Sequence, residues 1–309
     1  MLKSTIDLHL HSCYSDDGEI GPEELVQKCR HSDIRIMAIA DHNCVRANEA
    51  AQSMALAAGI IYIPAVEIDC TFNGTNLHVL GYGIDYNSPD FEIIENDITK
   101  QSSEASYKML LATQKLGFDI SKDDMSSLTE NMLCKDSWTG EMLAEVLLNK
   151  QEYKNHKLLQ PYRPGESRSD NPYVNFYWDF YSQGKPCHVK MIYPTLEHIL
   201  EIIHKNGGKA ILAHPGLQLK DNSKMLNDII SKGIDGIEAF SSYHSPSEAF
   251  KFYKEAINNH ILVTCGSDYH GKTKPAISIG QHGCLISDKE MQVSLSGVFT
   301  KLTDNCCQL

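Results

Sequence analysis

Short apolar segments typical of β-strands alternate with amphipathic segments typical of α-helices at both ends of this 309-residue chain. This alternation limits the possible folds more than any other feature, because strands joined by helices lie parallel in one sheet. The pattern predicts an α/β protein in which seven strands close into a barrel. The predicted strands are residues 5–10, 35–40, 60–66, 77–82, 209–213, 236–240 and 261–265.

The alternation stops between residues 91 and 185. This stretch contains predicted helices at 91–116, 139–149 and 173–181, and a loop at 160–172 that is rich in Arg, Pro, Gly and Ser. We interpret residues 1–90 and 186–309 as the barrel. Residues 91–185 are then an inserted helical cap that covers one end of it.

Composition restricts the class of protein and of partner. The net charge of −12 argues against binding an extended nucleic acid, although a small phosphorylated substrate remains compatible. Ten cysteines without a C-x-x-C pair fit a reducing cytoplasm, and no apolar run is long enough for a membrane helix. A cytoplasmic protein without a membrane partner is therefore expected, and the oligomeric state is left open.

Histidines and acids recur where predicted strands end. Asp7, His9 and His11 alternate along the first strand, so their side chains share one face. The carboxyl ends of parallel barrel strands gather at one end of the barrel, where the other members of the set are expected to meet them. One of these, His78, lies inside its strand instead. The predicted metal ligands are His9, His11, Asp16, His42, Glu67, His78, His214, Asp268 and His270.

A set of this size indicates a metal centre. A single histidine after a strand is more often a hydrogen-bonded loop residue, but burying nine titratable groups together without a metal would be costly. Histidine and carboxylate ligands suit manganese, iron or zinc. The ligands are too many for one ion, so two or three divalent ions are expected, and a carboxylate such as Glu67 can bridge two of them.

Five segments resemble, in order, the motifs of the PHP (polymerase and histidinol phosphatase) superfamily. They are residues 7–18, 40–42, 66–67, 213–216 and 266–270, and the likeness covers about residues 4–85 and 186–275. The resemblance implies a distorted seven-stranded β/α barrel and a metal-dependent phosphoesterase. It also implies three ligand clusters: His9, His11, Glu67 and Asp268; then Asp16, His42 and His270; then Glu67, His78 and His214.

Within the superfamily, the chain is most similar to phosphoesterases with a helical cap, which act on nucleotides and nucleoside bisphosphates. The resemblance therefore implies hydrolysis of a small phosphomonoester by a metal-activated hydroxide. Many such members carry an Arg-x-His segment in the cap, which residues 137–142 lack. Three alternatives stay open: a 5′-3′ exonuclease on short oligonucleotides, a histidinol-phosphate-type phosphatase, and a catalytically silent metal-binding module.

The substrate side of the site is predicted from cations and aromatic residues. Arg163, Arg168 and Lys185 are expected to bind phosphate. His244 is expected to contact phosphate or to donate a proton, and Asp268 is the other candidate for the leaving-group acid. The aromatic helix at 173–181 could stack a nucleobase, although packing inside the cap is its default role.

Overall fold

The computed structural model describes residues 4–130, 137–220 and 222–296, which form the predicted α/β fold. The strands are β1 (Ile6–Leu10), β2 (Ile36–Ile39), β3 (Ile61–Tyr62), β4 (Ala65–Phe72), β5 (Thr75–Tyr82), β6 (Lys209–Leu212), β7 (Gly236–Ser241) and β8 (Leu262–Gly266). The helices are α1 (Pro22–His31), α2 (Ala47–Ala58), α3 (Pro89–Lys115), α4 (Lys122–Thr129), α5 (Gly140–Asn149), α6 (Pro172–Phe180), α7 (Leu196–Lys205), α8 (Pro215–Gln218), α9 (Ser223–Ser231) and α10 (Pro246–Asn258).

The strands form two sheets and not the single closed seven-stranded barrel that was predicted. The first sheet has the order β1-β2-β3 and is parallel. The second has the order β4-β5-β6-β7-β8, in which β5 runs antiparallel to both neighbours. None of the described helices is long and apolar enough to cross a bilayer.

Local sequence explains the extra strand and the change of direction. Pro64 lies between β3 and β4, and a proline has no N–H to donate to a continuous ladder. Asn73 and Gly74 connect β4 to β5, both with positive φ. An Asn-Gly pair with this backbone is the favoured two-residue turn of an antiparallel hairpin.

Two short bridges bring the ends of the sheets together. Leu10 pairs with Tyr269 beyond the end of β8, and His42 pairs with Glu67 of β4. Asp7 reinforces the first of these junctions because its carboxylate accepts the backbone N–H groups of Ser267 (2.9 Å) and Gly280 (2.7 Å). Predicted metal ligands therefore lie at both junctions between the sheets.

The apolar residues form separate cores. The largest lies between the second sheet and helices α7, α9 and α10. A second core belongs to the helical stretch between β5 and β6, where Leu143 and Phe176 are fully buried. α4 was not predicted, while α3, α5 and α6 begin and end within two residues of the predicted helices.

Gly266 is required where β8 passes β1. A Cβ at this position would lie 2.1 Å from His9 Cβ and 2.8 Å from Glu238 Oε1. We expect Gly266→Ala to lower the free energy of unfolding by about 1–3 kcal/mol or more, measured in urea, because the overpacked strands must separate. Gly21→Ala is the control, since its nearest neighbouring atom would be 3.5 Å away. Equal stability of the two variants would contradict this packing.

Candidate metal centre

Eight of the nine predicted ligands, together with Asp17, converge into three overlapping groups, each of which could hold a metal ion. The groups are His9, Glu67, His214 and Asp268; His42, Glu67 and His78; and His11, Asp17, His42 and His270. Within each group the potential ligand atoms lie within 4.8 Å of one another. The grouping differs from the expected one in that His214 joins His9, and His11 joins His42 and His270.

Glu67 lies at the middle of the site and is fully buried. His9, His11 and His42 each place a ring nitrogen 3.0–3.2 Å from its Oε2 atom. The rings of His78 and His214 approach its Oε1 atom at 2.8 and 2.9 Å. Five imidazoles around two oxygens is the arrangement expected of a carboxylate that bridges cations.

The hydrogen bonds of His11 show which of its two ring nitrogens carries the lone pair. Ser15 Oγ donates to Asp41 and accepts the backbone N–H of His42, so the remaining contact, from His11 Nδ1 at 2.8 Å, is a donation by the ring. The lone pair of a neutral His11 therefore lies on Nε2. Nε2 lies 3.2 Å from Glu67 Oε2 and 3.0 Å from Asp268 Oδ1. The lone pairs of His11 Nε2, Glu67 Oε2 and Asp268 Oδ1 therefore face one another and repel. A bound cation would remove that repulsion.

Second contacts orient two further imidazoles in the same way. His9 Nδ1 lies 2.9 Å from Glu238 Oε1, and His270 Nδ1 lies 2.9 Å from the backbone carbonyl oxygen of Asp268. Each contact has the ring N–H as its donor, which leaves Nε2 of both rings for the centre. Glu238 was not predicted. Its position inside a buried strand was the available signal.

The charged groups of the site strongly shift one another's pKa values. Burial would raise the pKa of Glu67, but the nearby His9, His42 and His78 hold it well below its usual value. Burial would lower the pKa of His9, but the charges of Glu67, Glu238 and Asp268 raise it well above its usual value. Burial and the neighbouring His270 and His42 lower the pKa of His11 to about 3. The carboxylates that favour a proton on His9 would equally favour a divalent cation in its place, and binding of the cation would release that proton.

Orphaned polar atoms give an independent test of whether the residues fit metals. His11 Nε2, Asp17 Oδ1, His42 Nδ1 and Asp268 Oδ1 are buried and have no hydrogen-bond partner. Such atoms are rare in folded proteins, because leaving them unsatisfied is costly. Of the eleven such side-chain atoms in the described part of the chain, these four lie together in the candidate groups, so the donor set there fits divalent cations.

The carboxylate that closes the third group is Asp17, where Asp16 was predicted. Asp17 Oδ2 lies 3.1 Å from His270 Nε2, and its Oδ1 lies 3.9 Å from His42 Nε2. Asp16 lines the neighbouring cleft instead, where burial and the adjacent Asp17 raise its pKa to about 6. The two aspartates lie in a loop after β1, where no strand alternation determines which of them points inward.

The predicted role of His244 is not supported by its contacts. Its Nδ1 lies 2.9 Å from the carbonyl oxygen of Ala239, and its Nε2 accepts the N–H of Gly216 at 3.1 Å. Both ring nitrogens are therefore used by backbone, and burial lowers the pKa of the ring. The side chain ties α8 to β7 and offers no nitrogen to a substrate.

Arg163, Arg168 and Lys185, which were predicted to bind phosphate, do not line the cleft next to the metal groups. Arg163 donates to the carbonyl oxygens of Leu148 and Tyr153, and Arg168 forms a two-point ion pair with Asp179. These contacts hold the helical stretch together. Lys185 is exposed and does not line the cleft next to the metal groups.

Lys274 was missed by the sequence analysis. Its ammonium nitrogen lies 2.7 Å from Asp268 Oδ2, whose other partner is the hydroxyl of Tyr243 at 2.5 Å. Burial would lower the pKa of Lys274, but the charge of Asp268 holds it well above its usual value. A permanently charged ammonium group therefore borders the metal groups. Its place four residues after His270 was the only signal in the sequence.

A cleft separates the metal groups from the helical stretch. Asp17, His42, Asp69 and His78 lie along one side, together with Lys274. Trp138, Glu141, Tyr177, Trp178 and Tyr181 line the other side. The aromatic helix thus divides its residues between two roles, since Phe176 is buried in the core while Tyr177 and Trp178 reach the cleft.

Comparison with known families agrees with this geometry. The PHP domain family matches residues 7–207, which include β1 to β5, the helical stretch and α7. The chain belongs to this family. The family resemblance found in the sequence is confirmed.

Three relatives carry different activities in their names. The phosphoribosyl 1,2-cyclic phosphate 1,2-diphosphodiesterase of Eggerthella lenta is 24% identical over 86% of this chain and 94% of its own. The 3′,5′-nucleoside bisphosphate phosphatase of Chromobacterium violaceum is 24% identical over 90% and 91%. The 5′-3′ exoribonuclease Rnm of Salmonella typhimurium is 25% identical over 89% and 88%.

One solved structure shows the same fold. An amidohydrolase from Chromobacterium violaceum superposes with a TM-score of 0.75 at 22% identity, over 94% of this chain and 97% of that one. Family and relatives together confirm the predicted class of enzyme, a metal-dependent phosphoesterase.

Glu67→Gln should deplete the centre of metal more than any other glutamate substitution, because an amide cannot supply two anionic oxygens to neighbouring cations. Glu238→Gln should retain the centre but weaken metal affinity about 10–100-fold through its hold on His9. Metal analysis of the purified proteins, with the exposed Glu104→Gln as control, measures both effects. Full metal content in Glu67→Gln would contradict the bridging role.

Proposed function

We propose that this chain hydrolyses a small phosphomonoester of the nucleotide type and uses two or three divalent ions, manganese, iron or zinc. The observation that carries the proposal is the position of the ligand groups beside a cleft whose other side is aromatic. A phosphoryl group fits the metal side, and a planar base fits the rings of Tyr177 and Trp178.

The proposed ligand set is the three groups around Glu67, with Asp17 in place of Asp16. Metals bound there would supply positive charge for the phosphoryl oxygens and lower the pKa of a coordinated water. Glu238 and Ser15 fix the inward nitrogens of His9 and His11. Asp41, which binds Ser12 and Ser15, holds the loop that carries Asp17.

Lys274 takes the role that was predicted for Arg163, Arg168 and Lys185. Its ammonium group lies beside Asp268 and lines the cleft, so it can contact a non-bridging phosphoryl oxygen. Among the described residues that line the cleft, it is the only lysine or arginine. The protein therefore supplies one positively charged side chain, which suits a substrate with a single phosphate group.

The same count argues against an extended nucleic acid as substrate. Binding a phosphate backbone requires a row of lysines and arginines along the groove. The described cleft offers Lys274 alone, alongside the carboxylates Asp16, Asp17 and Asp69. The mononucleotide is accordingly preferred over the oligonucleotide.

The helical stretch completes the site under this proposal. Residues 91–185 act as the cap, and residues 1–90 with 186–309 act as the body that it covers. In the described part of that body, the two sheets meet at the bridges Leu10–Tyr269 and His42–Glu67. The cap supplies the aromatic wall that excludes water from the phosphoryl group. The body supplies the metal ligands.

Metal removal tests the proposal directly. We expect EDTA to abolish phosphate release from a nucleoside monophosphate and added Mn²⁺, Fe²⁺ or Zn²⁺ to restore it. Phosphate is measured colorimetrically across a panel of small phosphoesters. A folded, metal-loaded protein that releases no phosphate from any of them would overturn the proposal.

Trp178→Ala tests the aromatic wall. Stacking on a base is worth about 1–3 kcal/mol, so KM for a nucleoside monophosphate should rise by about fivefold or more. The KM for glycerol phosphate, which has no base, should change little. Phe250→Ala, a substitution of an exposed aromatic residue on α10, is the control. Equal effects on both substrates would contradict stacking by Trp178.

A further inference from the structure

Hydrolysis of an alkyl phosphate leaves an alkoxide, which needs a proton as the P–O bond breaks. The two residues predicted for this task cannot supply it. His244 has both ring nitrogens bound to backbone. Asp268 directs Oδ1 toward His9 and His11 and holds Oδ2 against the ammonium group of Lys274, so neither oxygen is placed to deliver a proton to the cleft.

Glu141 is a carboxyl group that faces the same cleft from the opposite wall. It lies in the first turn of α5 and lines the cleft with His42, His78 and Lys274. Its side chain is buried, with the residue 8% exposed. Neither the ligand groups nor the proposed phosphate contact uses it.

The start of α5 is held in place closely enough to aim this carboxyl. A Cβ at Gly140 would lie 2.7 Å from Tyr181 Cδ2 and 2.9 Å from Tyr177 Cδ2, so the helix begins directly against the rings of α6. Thr139 caps the helix by accepting the N–H of Met142. The position of Glu141 is thereby set by packing on one side and by the cap on the other.

The surroundings of Glu141 favour its protonated form. Burial, followed by the charge of Asp17 and then that of Asp16, raises the pKa of Glu141 to about 8, against hydrogen bonds from Thr139 and its own N–H. Tyr177 and Tyr181 face it from α6, and the Lys272–Glu145 ion pair borders it on the loop side. Cations bound near Asp17 would offset that charge, but burial, the largest cause, would remain.

We propose that Glu141 is the general acid of the reaction and donates its proton to the leaving-group oxygen. The oxygen of the attacking water bonds to phosphorus while the P–O bond to the leaving group breaks. The leaving oxygen keeps the electron pair of that bond and takes the proton from Glu141. The proton lost by the water returns Glu141 to its acid form through solvent. This inference rests on the proposed phosphoesterase function.

Glu141→Gln tests the role with two substrates of different leaving group. A nucleoside 5′-monophosphate needs the proton, whereas p-nitrophenyl phosphate releases a stabilised phenolate that does not. We expect kcat/KM to fall about 100-fold or more for the first substrate and less than about fivefold for the second. Glu104→Gln, the same change at an exposed position of α3, should leave both values unchanged.

The pH profile gives a second readout. An acid must be protonated to act, so kcat/KM of the unaltered enzyme for the monophosphate should fall as pH rises through the pKa of Glu141. Glu141→Gln should lack that alkaline limb while keeping the metal content and urea midpoint of the unaltered enzyme.

Three results would overturn the assignment. Equal losses for both substrates would make Glu141 a structural or binding residue, and no loss for either would remove it from the reaction. An alkaline limb that persists in Glu141→Gln would assign it to another group. If the unaltered enzyme hydrolyses neither substrate, the phosphoesterase proposal itself fails, and Glu141 has no reaction to assist.

Discussion

The carboxylate of Glu67 is the constraint on which the rest of the structure depends. Its two oxygens are buried, and the rings of five histidines contact them. These histidines come from β1 and its end, from the end of β2, from β5 and from the turn after β6. A buried carboxylate without compensation would be too costly to retain. The fold must therefore bring compensating groups from both sheets to one point, and the arrangement that results is one that could hold metal ions.

This requirement gives a reason for the interrupted strand pairing. Where β1 meets β8, and where β2 meets β4, backbone pairing shrinks to a single bridge, and His9, His42 and Asp268 occupy the space between. His214 and Asp268, each the second residue after its strand, adopt positive φ and belong to one ligand group. Backbone strain of this kind costs about 1–3 kcal/mol per residue and persists where the surroundings enforce it.

The sequence predicts most members of the three candidate ligand groups, because the chemistry and the period of these residues are local. The alternation of Asp7, His9 and His11 fixes one face of a strand whatever the rest of the chain does. All eight strands overlap the predicted segments, with β3 and β4 sharing the segment 60–66, because apolar periodicity survives without tertiary information. The hairpin between β4 and β5 was also readable, because Asn73-Gly74 is a strong turn signal that the predicted parallel order overlooked.

What the sequence could not supply was the long-range partner of each polar group. Arg163 and Arg168 have side chains that suit phosphate, but both have partners within the protein. Arg163 donates to the carbonyl oxygen of Leu148 at the end of α5, and Arg168 is paired with Asp179 of α6. Lys274 and Glu238 carry no motif, and their importance follows only from their distance to Asp268 and His9. The choice between Asp16 and Asp17 was undetermined for the same reason, because a loop has no period.

A crystal structure of the metal-loaded protein with anomalous scattering measured at the metal edges tests the central claim most directly. We expect at least two anomalous peaks, with each oxygen of Glu67 and the inward nitrogens of His9 and His11 at bonding distance from a metal. A loaded crystal with no peak at Glu67, in which the imidazoles keep direct contact with its carboxylate, would contradict a metal centre at this site.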